Sequence, residues 1–319
     1  MTSDIAADMS AWHGRTDDAE GVLGRRWHQV MQPRADGAPA GTTVLLGFAC
    51  DAGVARNHGR AGAAGGPAAI RHMLRNMPLH ECRALADGGD IICEGDALEA
   101  AQQALAAAVQ RELGTGRFPL ILGGGHEMAW GSFLGLAQHA GRTPGTPRIG
   151  IVNFDAHFDL REDERATSGT PFLQMARECS ARGWPFRYAC LGVSRYANTE
   201  ALFARANELG VAWRLDEAMA VPETAAGLAS FVESVDQVYL TFCLDVLPSC
   251  FAPGVSAPAA RGVGLDLLEP LIDIACGSGK VRVADIAEMN PRFDVDGRTA
   301  AVAARITARI ANGVARAVR

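Results

Sequence analysis

Six short apolar runs, separated by Ala-rich helical segments, constrain this chain more than any other feature. The runs are 42–50 (TTVLLGFAC), 118–122 (FPLIL), 148–154 (RIGIVNF), 187–193 (RYACLGV), 237–244 (QVYLTFCL) and 280–287 (KVRVADIA). They are apolar at successive positions, as strands buried on both faces are. The segments 67–76, 96–113, 127–139, 171–182, 199–209, 222–234, 265–275 and 298–316 have the period of helices that cover such strands. The predicted fold is α/β: a single domain with a doubly wound, mainly parallel sheet and helices on both faces. Residues 36–319 form the expected domain. Residues 1–35 read as a loosely attached N-terminal lead-in, and 51–66 (DAGVARNHGRAGAAGG) as a long Gly-rich loop.

Composition narrows the function classes. Of 319 residues, 48% are hydrophobic and 21% charged, enough apolar material for a large core. The net charge is −6 with no block of Lys or Arg, so neither nucleic acid nor a membrane surface is the expected partner. No apolar run approaches the roughly 20 residues that cross a bilayer, and the N-terminus lacks a signal-peptide core. The eight cysteines form no CxxC pair and several sit inside apolar runs. A cytoplasmic protein with reduced thiols is expected.

In open parallel sheets, sites form beyond the carboxyl ends of strands. Four predicted strands here end in metal- or cation-seeking residues. FPLIL runs into GGGHE, bringing His126 and Glu127. RIGIVNF runs into DAHFD, bringing Asp155, His157 and Asp159. The fifth run leads through Cys243 to Asp245, and the sixth to Glu288. A lone DxHxD is more often a polar turn than a metal site, and a lone GGGH reads equally as a tight turn. Four such endings on one sheet edge reverse that balance. Two-residue spacing in an extended chain would put Asp155, His157 and Asp159 on one side, and likewise Cys243 and Asp245. Imidazoles among carboxylates suit ions such as Mn²⁺. The ligands are too many for one tetrahedral ion. Two divalent ions about 3.5–4 Å apart, sharing a water, are the expected cofactor.

The same strings carry a resemblance. GGGHE, DAHFD and TFCLDVLPSCFAPG resemble the three metal motifs of the arginase (ureohydrolase) family, within a match between residues 42 and 312. GVARNHGRAGAAGGPAAIR is similar to its N-terminal substrate-side loop, SGTPF at 168–172 to the segment after its second motif, and EMNPRFDVDGRTA at 288–300 to its closing motif. The resemblance implies that His126 and Asp159 ligate one ion and His157 and Asp245 the other, with Asp155 bridging. It implies that Glu288 holds the cationic amidine, a carboxylate opposite a delocalised cation. Asp159 would handle the proton. Family members are commonly homo-oligomers. Two positions depart from the pattern. Cys243 stands where the family usually has Asp. As a thiolate it would ligate and favour softer ions such as Zn²⁺, Fe²⁺ or Co²⁺; as a thiol it would leave one ion weakly held. Ser168 stands where arginases and agmatinases carry His, and a hydroxyl is a poor general acid.

Three arginines bear on the substrate: Arg161, two residues past Asp159, Arg195 in GVSRYANT, and Arg60 in the Gly-rich loop. A guanidinium fork suits a substrate with carboxylates. Each reads equally well, singly, as a surface salt bridge. The HFDLR, SGTPF, GVSRYANT and APGVSAPAARG strings resemble the formimidoylglutamase branch. That branch implies metal-assisted hydrolysis of N-formimidoyl-L-glutamate to L-glutamate and formamide, a step of histidine degradation. The expected partner is a small amidine with carboxylates. Two alternatives stay open: another ureohydrolase (an agmatinase or guanidino-acid hydrolase), or a metal-poor, non-catalytic member of the family. A deacetylase on a related sheet is disfavoured by Glu288 and the NP motif.

Overall fold

A computed structural model describes residues 7–318. Its nine strands form one sheet in the order β1-β3-β2-β4-β9-β8-β5-β6-β7, and every pairing is parallel. The strands are β1 (Gln32–Pro33), β2 (Thr43–Ala49), β3 (Leu85–Ile92), β4 (Phe118–Leu122), β5 (Ile149–Phe154), β6 (Arg187–Val193), β7 (Ala212–Leu215), β8 (Gln237–Cys243) and β9 (Val281–Ala287). The central strands β4, β5 and β8 are buried at almost every position, as continuous apolar runs require.

Among the described residues nine α-helices accompany the sheet: α1 (Ala52–Arg56), α2 (Gly66–Leu74), α3 (Leu98–Gly114), α4 (Met128–Ala140), α5 (Pro171–Ala181), α6 (Glu200–Glu208), α7 (Val221–Glu233), α8 (Leu265–Gly277) and α9 (Arg298–Ala317). Side chains of α2, α7, α8 and α9 share one apolar cluster; those of α3, α4, α5 and α6 share the other. The sheet is thus covered on both faces. Each fully buried Leu or Phe in these layers stabilises the fold by about 1.5–3 kcal/mol. No helix among the described residues is long and apolar enough to cross a membrane.

Three local expectations are corrected. The lead-in is not loose where it is described: Trp27 is fully buried, β1 pairs with β3, and Trp12 Nε1 donates to Asp87 at 2.7 Å. Residues 1–6 of it lie outside the described residues. Segment 51–66 holds α1 and a short 3-10 turn at Ala63–Gly65. Asp51 does not cap α1; instead Glu127, from beyond β4, accepts from the Gly53 N–H at 2.8 Å. A cap supplied by another element leaves no local signal. The strands β3 (LADGGDII) and β7 were not expected either. The Asp-Gly-Gly in β3 reads as a turn, but Arg71 pairs with Asp87 at 2.8 Å and keeps that polar stretch in the sheet.

Candidate metal centre and its cavity

Four neighbouring central strands, β4-β9-β8-β5, deliver the candidate residues at their carboxyl ends. The Gly run after β4 has a steric reason. A Cβ at Gly123 would lie 2.3 Å from the Ile286 carbonyl, and one at Gly124 2.4 Å from that of Phe48. The turn therefore packs directly on the backbones of β9 and β2 and holds His126 over the sheet.

The predicted ligands converge. His126 Nδ1 lies 2.9 Å from Asp155 Oδ2 and 3.0 Å from Asp159 Oδ2. His157 Nδ1 lies 3.1 Å from Asp245 Oδ2 and 3.4 Å from Asp155 Oδ1. Asp155 therefore stands between the two histidines. Cys243 Sγ groups with His126 and Asp155, while Asp155, His157 and Asp245 form a second group. Convergence does not come from strand parity, as the spacing had indicated. β5 stops at Phe154, and the chain then bends, with Asp159 in the left-handed region at φ 48°. Asp245 sits in a 3-10 turn at Leu244–Val246. Turns rather than pleats aim these groups.

Backbone strain marks the same place. Among the described residues, four non-glycines have positive φ, and three of them, His58, Asp159 and Glu288, line one cavity. Left-handed non-glycine backbone costs free energy and persists where the surroundings hold it. Glu288 follows β9 at φ 71°; its Oε1 accepts from the His126 N–H at 3.0 Å and its Oε2 from the Ser256 N–H at 3.3 Å.

The electrostatics fit cations. His126 Nε2 pairs with Thr241 Oγ1 at 3.0 Å. In the tautomer that donates Nε2–H there, Nδ1 turns its lone pair toward two carboxylates. His126 Nδ1 and Asp245 Oδ1 are both buried without a hydrogen bond. Lone pairs converging in a buried site are the arrangement a divalent ion satisfies. Burial opposes charge on both histidines, yet without an ion the carboxylates outweigh it and raise them well above their usual range. Burial also opposes charge on Asp155, yet the two imidazoliums hold its carboxyl below the usual range. An ion would take the place of those protons. Burial and then Asp155 push Asp159 and Asp245 up. Burial, followed by Asp155, Asp245 and Glu288, pushes the Cys243 thiol well up, so it is a neutral thiol in the metal-free protein. Burial, then Asp245 and Glu127, raises Glu288 to about 8.

These groups open into a cavity of about 700 Å³. Arg161 lines it, its side chain laid against Gly169, where a Cβ would stand 2.7 Å from Arg161 Cδ. Ser168 also lines it and accepts from Asn57 Nδ2 at 3.1 Å. Two predicted arginines fare differently. Arg195 does not line the cavity; it faces Glu217 at 3.7 Å, because the chain after β6 turns Asn198 and Thr199 inward instead. Arg60 does line it, but its guanidinium donates to the Pro253, Val255 and Ser256 carbonyls. It clamps that loop and has little left for a ligand. Sequence reasoning missed Asn57, His58, Asn198 and Arg205, all in the lining. Asn57 and His58 adjoin just after α1, Asn198 precedes α6 and Arg205 lies within it, and none has a spacing that marks it.

The sequence profile of the Arginase family matches residues 42–312. The chain belongs to the arginase family. A formimidoylglutamase of Ralstonia nicotianae is 58% identical, covering 97% of each chain. One from Aeromonas hydrophila is 54% identical over 94% of this chain and 96% of that relative. Among solved structures, Trypanosoma cruzi formiminoglutamase with Mn²⁺ superposes at a TM-score of 0.75 with 27% identity, covering 86% of this chain and 94% of that one. Membership gives the converging His and Asp groups a shared context: they stand on the motifs that resemble the family's metal sites.

Proposed function

We propose that this chain is a formimidoylglutamase, hydrolysing N-formimidoyl-L-glutamate to L-glutamate and formamide. Relatives of that name, 58% and 54% identical over nearly the whole chain, support the activity. The observation that carries the substrate reading is Arg161. It lines the cavity two residues from Asp159, and its guanidinium has no hydrogen bond or ion pair among the described residues. An unpaired guanidinium beside a carboxylate-rich pole suits a substrate with a cationic amidine at one end and carboxylates at the other.

His126, Asp155, Asp159 and Cys243 would hold one divalent ion, and His157, Asp155 and Asp245 the other; Mn²⁺ is the ion we assign. When bound, such ions make a shared water nucleophilic near neutral pH and polarise the amidine. The chain's own groups do the rest. Glu288, fixed by two backbone N–H groups, faces the amidinium and orients its carbon. Asp159, held by its strained backbone, takes a proton from the attacking water and returns it to the departing glutamate nitrogen. Ser168 is placed by Asn57 as a hydrogen-bond partner of the substrate rather than as an acid. Arg161 holds a carboxylate. We assign this step of histidine breakdown to the cytoplasm, where thiols stay reduced.

Formamide and glutamate release by Mn²⁺-loaded protein tests the reading, with agmatine, arginine and guanidino acids alongside. Formamide from formimidoylglutamate is expected, with little urea from the guanidines. Faster urea release from a guanidine would replace this reading by another ureohydrolase.

A further inference from the structure

Among the described residues four arginines line the 700 Å³ cavity: Arg56, Arg60, Arg161 and Arg205. Two are spent. Arg56 donates to Asp96 at 2.7 Å, to Glu99 at 2.7 and 3.1 Å, and to the Ala166 and Asp96 carbonyls at 2.8 Å. Arg60 is held by the carbonyls of the 253–256 loop. Arg161 is unpaired. Arg205 projects from α6, whose Ala201, Leu202 and Arg205 share one helical face and all line the cavity. Its Nη1 donates to the Leu160 carbonyl at 2.7 Å. Its Nη2 is 3.7 Å from Glu162, a carboxylate 62% exposed and shared with Arg177. A guanidinium has five N–H donors, so most of this fork stays open.

We infer that Arg205 is the second carboxylate anchor of the site, taking the side-chain carboxylate of the substrate while Arg161 takes the α-carboxylate. This rests on the formimidoylglutamate reading above. That substrate carries two carboxylates at different distances from the reacting nitrogen. Arg161 rides on the segment that carries Asp159, so it serves the carboxylate next to the reacting nitrogen. Arg205 reaches the same segment from the neighbouring helix and is fixed there by Leu160, so it serves the distal one. The incoming carboxylate would take over the long contact that Glu162 makes now. Bidentate recognition of a carboxylate is what this side chain does better than any other.

The test compares two substrates with the same formamidine and α-carboxylate: N-formimidoyl-L-glutamate and N-formimidoyl-L-glutamine, which lacks the distal charge. Arg205→Gln keeps an N–H for the Leu160 carbonyl and removes the positive charge; Arg205→Ala removes both. Both variants should raise KM for the glutamate derivative about 10- to 100-fold, the span of one charge-assisted contact. KM for the glutamine derivative should rise several-fold less, since its carboxamide loses a hydrogen bond but no ion pair. Arg161→Ala, by contrast, should weaken both substrates. Equal losses on both substrates in Arg205→Gln would make Arg205 a clamp for Leu160 and overturn the inference, as would no loss on either. Wild-type protein that releases formamide from neither substrate would sink the functional reading and this inference together. An active wild type with unselective variants would sink this inference alone.

Discussion

The sheet carries a cavity at each end of its strands, and the two differ in kind rather than size. The one at the carboxyl ends measures about 700 Å³, the one at the amino ends about 630 Å³. The amino-end cavity is lined by Leu113, Phe118, Val281 and Val314, with Arg83 and Arg282 among its charged residues. Its buried arginine, Arg117, is 3% exposed, and each of its three nitrogens donates, to Glu112 and to the Ala38 and Asp36 carbonyls. His139 Nδ1 is orphaned there, but burial, then Arg142 and Arg282, lower its pKa and keep it neutral. A lone neutral imidazole needs no counter-ion. At the carboxyl ends, three aspartates crowd two histidines and leave His126 Nδ1 and Asp245 Oδ1 unsatisfied. Volume does not mark the site; the crowding of buried carboxylates around two imidazoles does.

The difference can be broken or sharpened by substitution. The largest effect should come from Asp155→Asn, since Asp155 faces both histidines. Losing an outer partner of a metal ligand costs roughly 10- to 100-fold, so losing a shared ligand should cost roughly 10³-fold or more in turnover. Calorimetry should show Mn²⁺ binding lost as well. Two ions still held at wild-type affinity would erase the contrast between the two ends.

Cys243→Asp should act in the opposite direction. It adds a carboxylate beside Asp155, Asp245 and Glu288, all of which already push the thiol up. Like charges without an ion repel, so the metal-free Tm should fall. Mn²⁺ should then bind about tenfold more tightly or better, worth about 1.4 kcal/mol per tenfold. Unchanged affinity in a Mn²⁺ titration would mean that Cys243 contributes nothing to the centre.

Arg161→Ala should raise KM for the dicarboxylate substrate by about 10- to 100-fold, the worth of one charge-assisted contact. Formamidine itself, which has no carboxylate, should be processed as before. A parallel loss on formamidine would assign Arg161 to the metal pole and not to the rim.

The smallest effect should come from the other end. Arg282→Ala alters only the amino-end cavity, where Arg282 Nη1 donates to the Gly279 carbonyl on the surface. Stability should change by about 0.5 kcal/mol or less, as is usual for surface sites, and KM should not move. A clear change in KM would show that the two cavities are coupled through the sheet.

Much of this was legible in the sequence. Apolar runs fixed six of the strands, because a strand buried on both faces must be apolar throughout. The eight predicted helices all exist, since their period is a local property. The residues that converge at the metal centre were legible too: they sit at or just past the carboxyl ends of strands in one parallel sheet, although the order that makes those strands neighbours, β4-β9-β8-β5, and the turns that aim the side chains are set by the fold. What the sequence left out depended on partners distant in the chain. β3 stays in the sheet because Arg71 answers Asp87, and α1 forms because Glu127 caps it. Which arginines are free was likewise undecidable. Arg60 is spent on a loop nearly 200 positions away, at Ser256. Arg195 turns outward, and Arg205 enters only because α6 packs beside the segment that bears Asp159. A charge is free or spent according to its neighbours, and neighbours are assigned by tertiary packing, not by spacing along the chain.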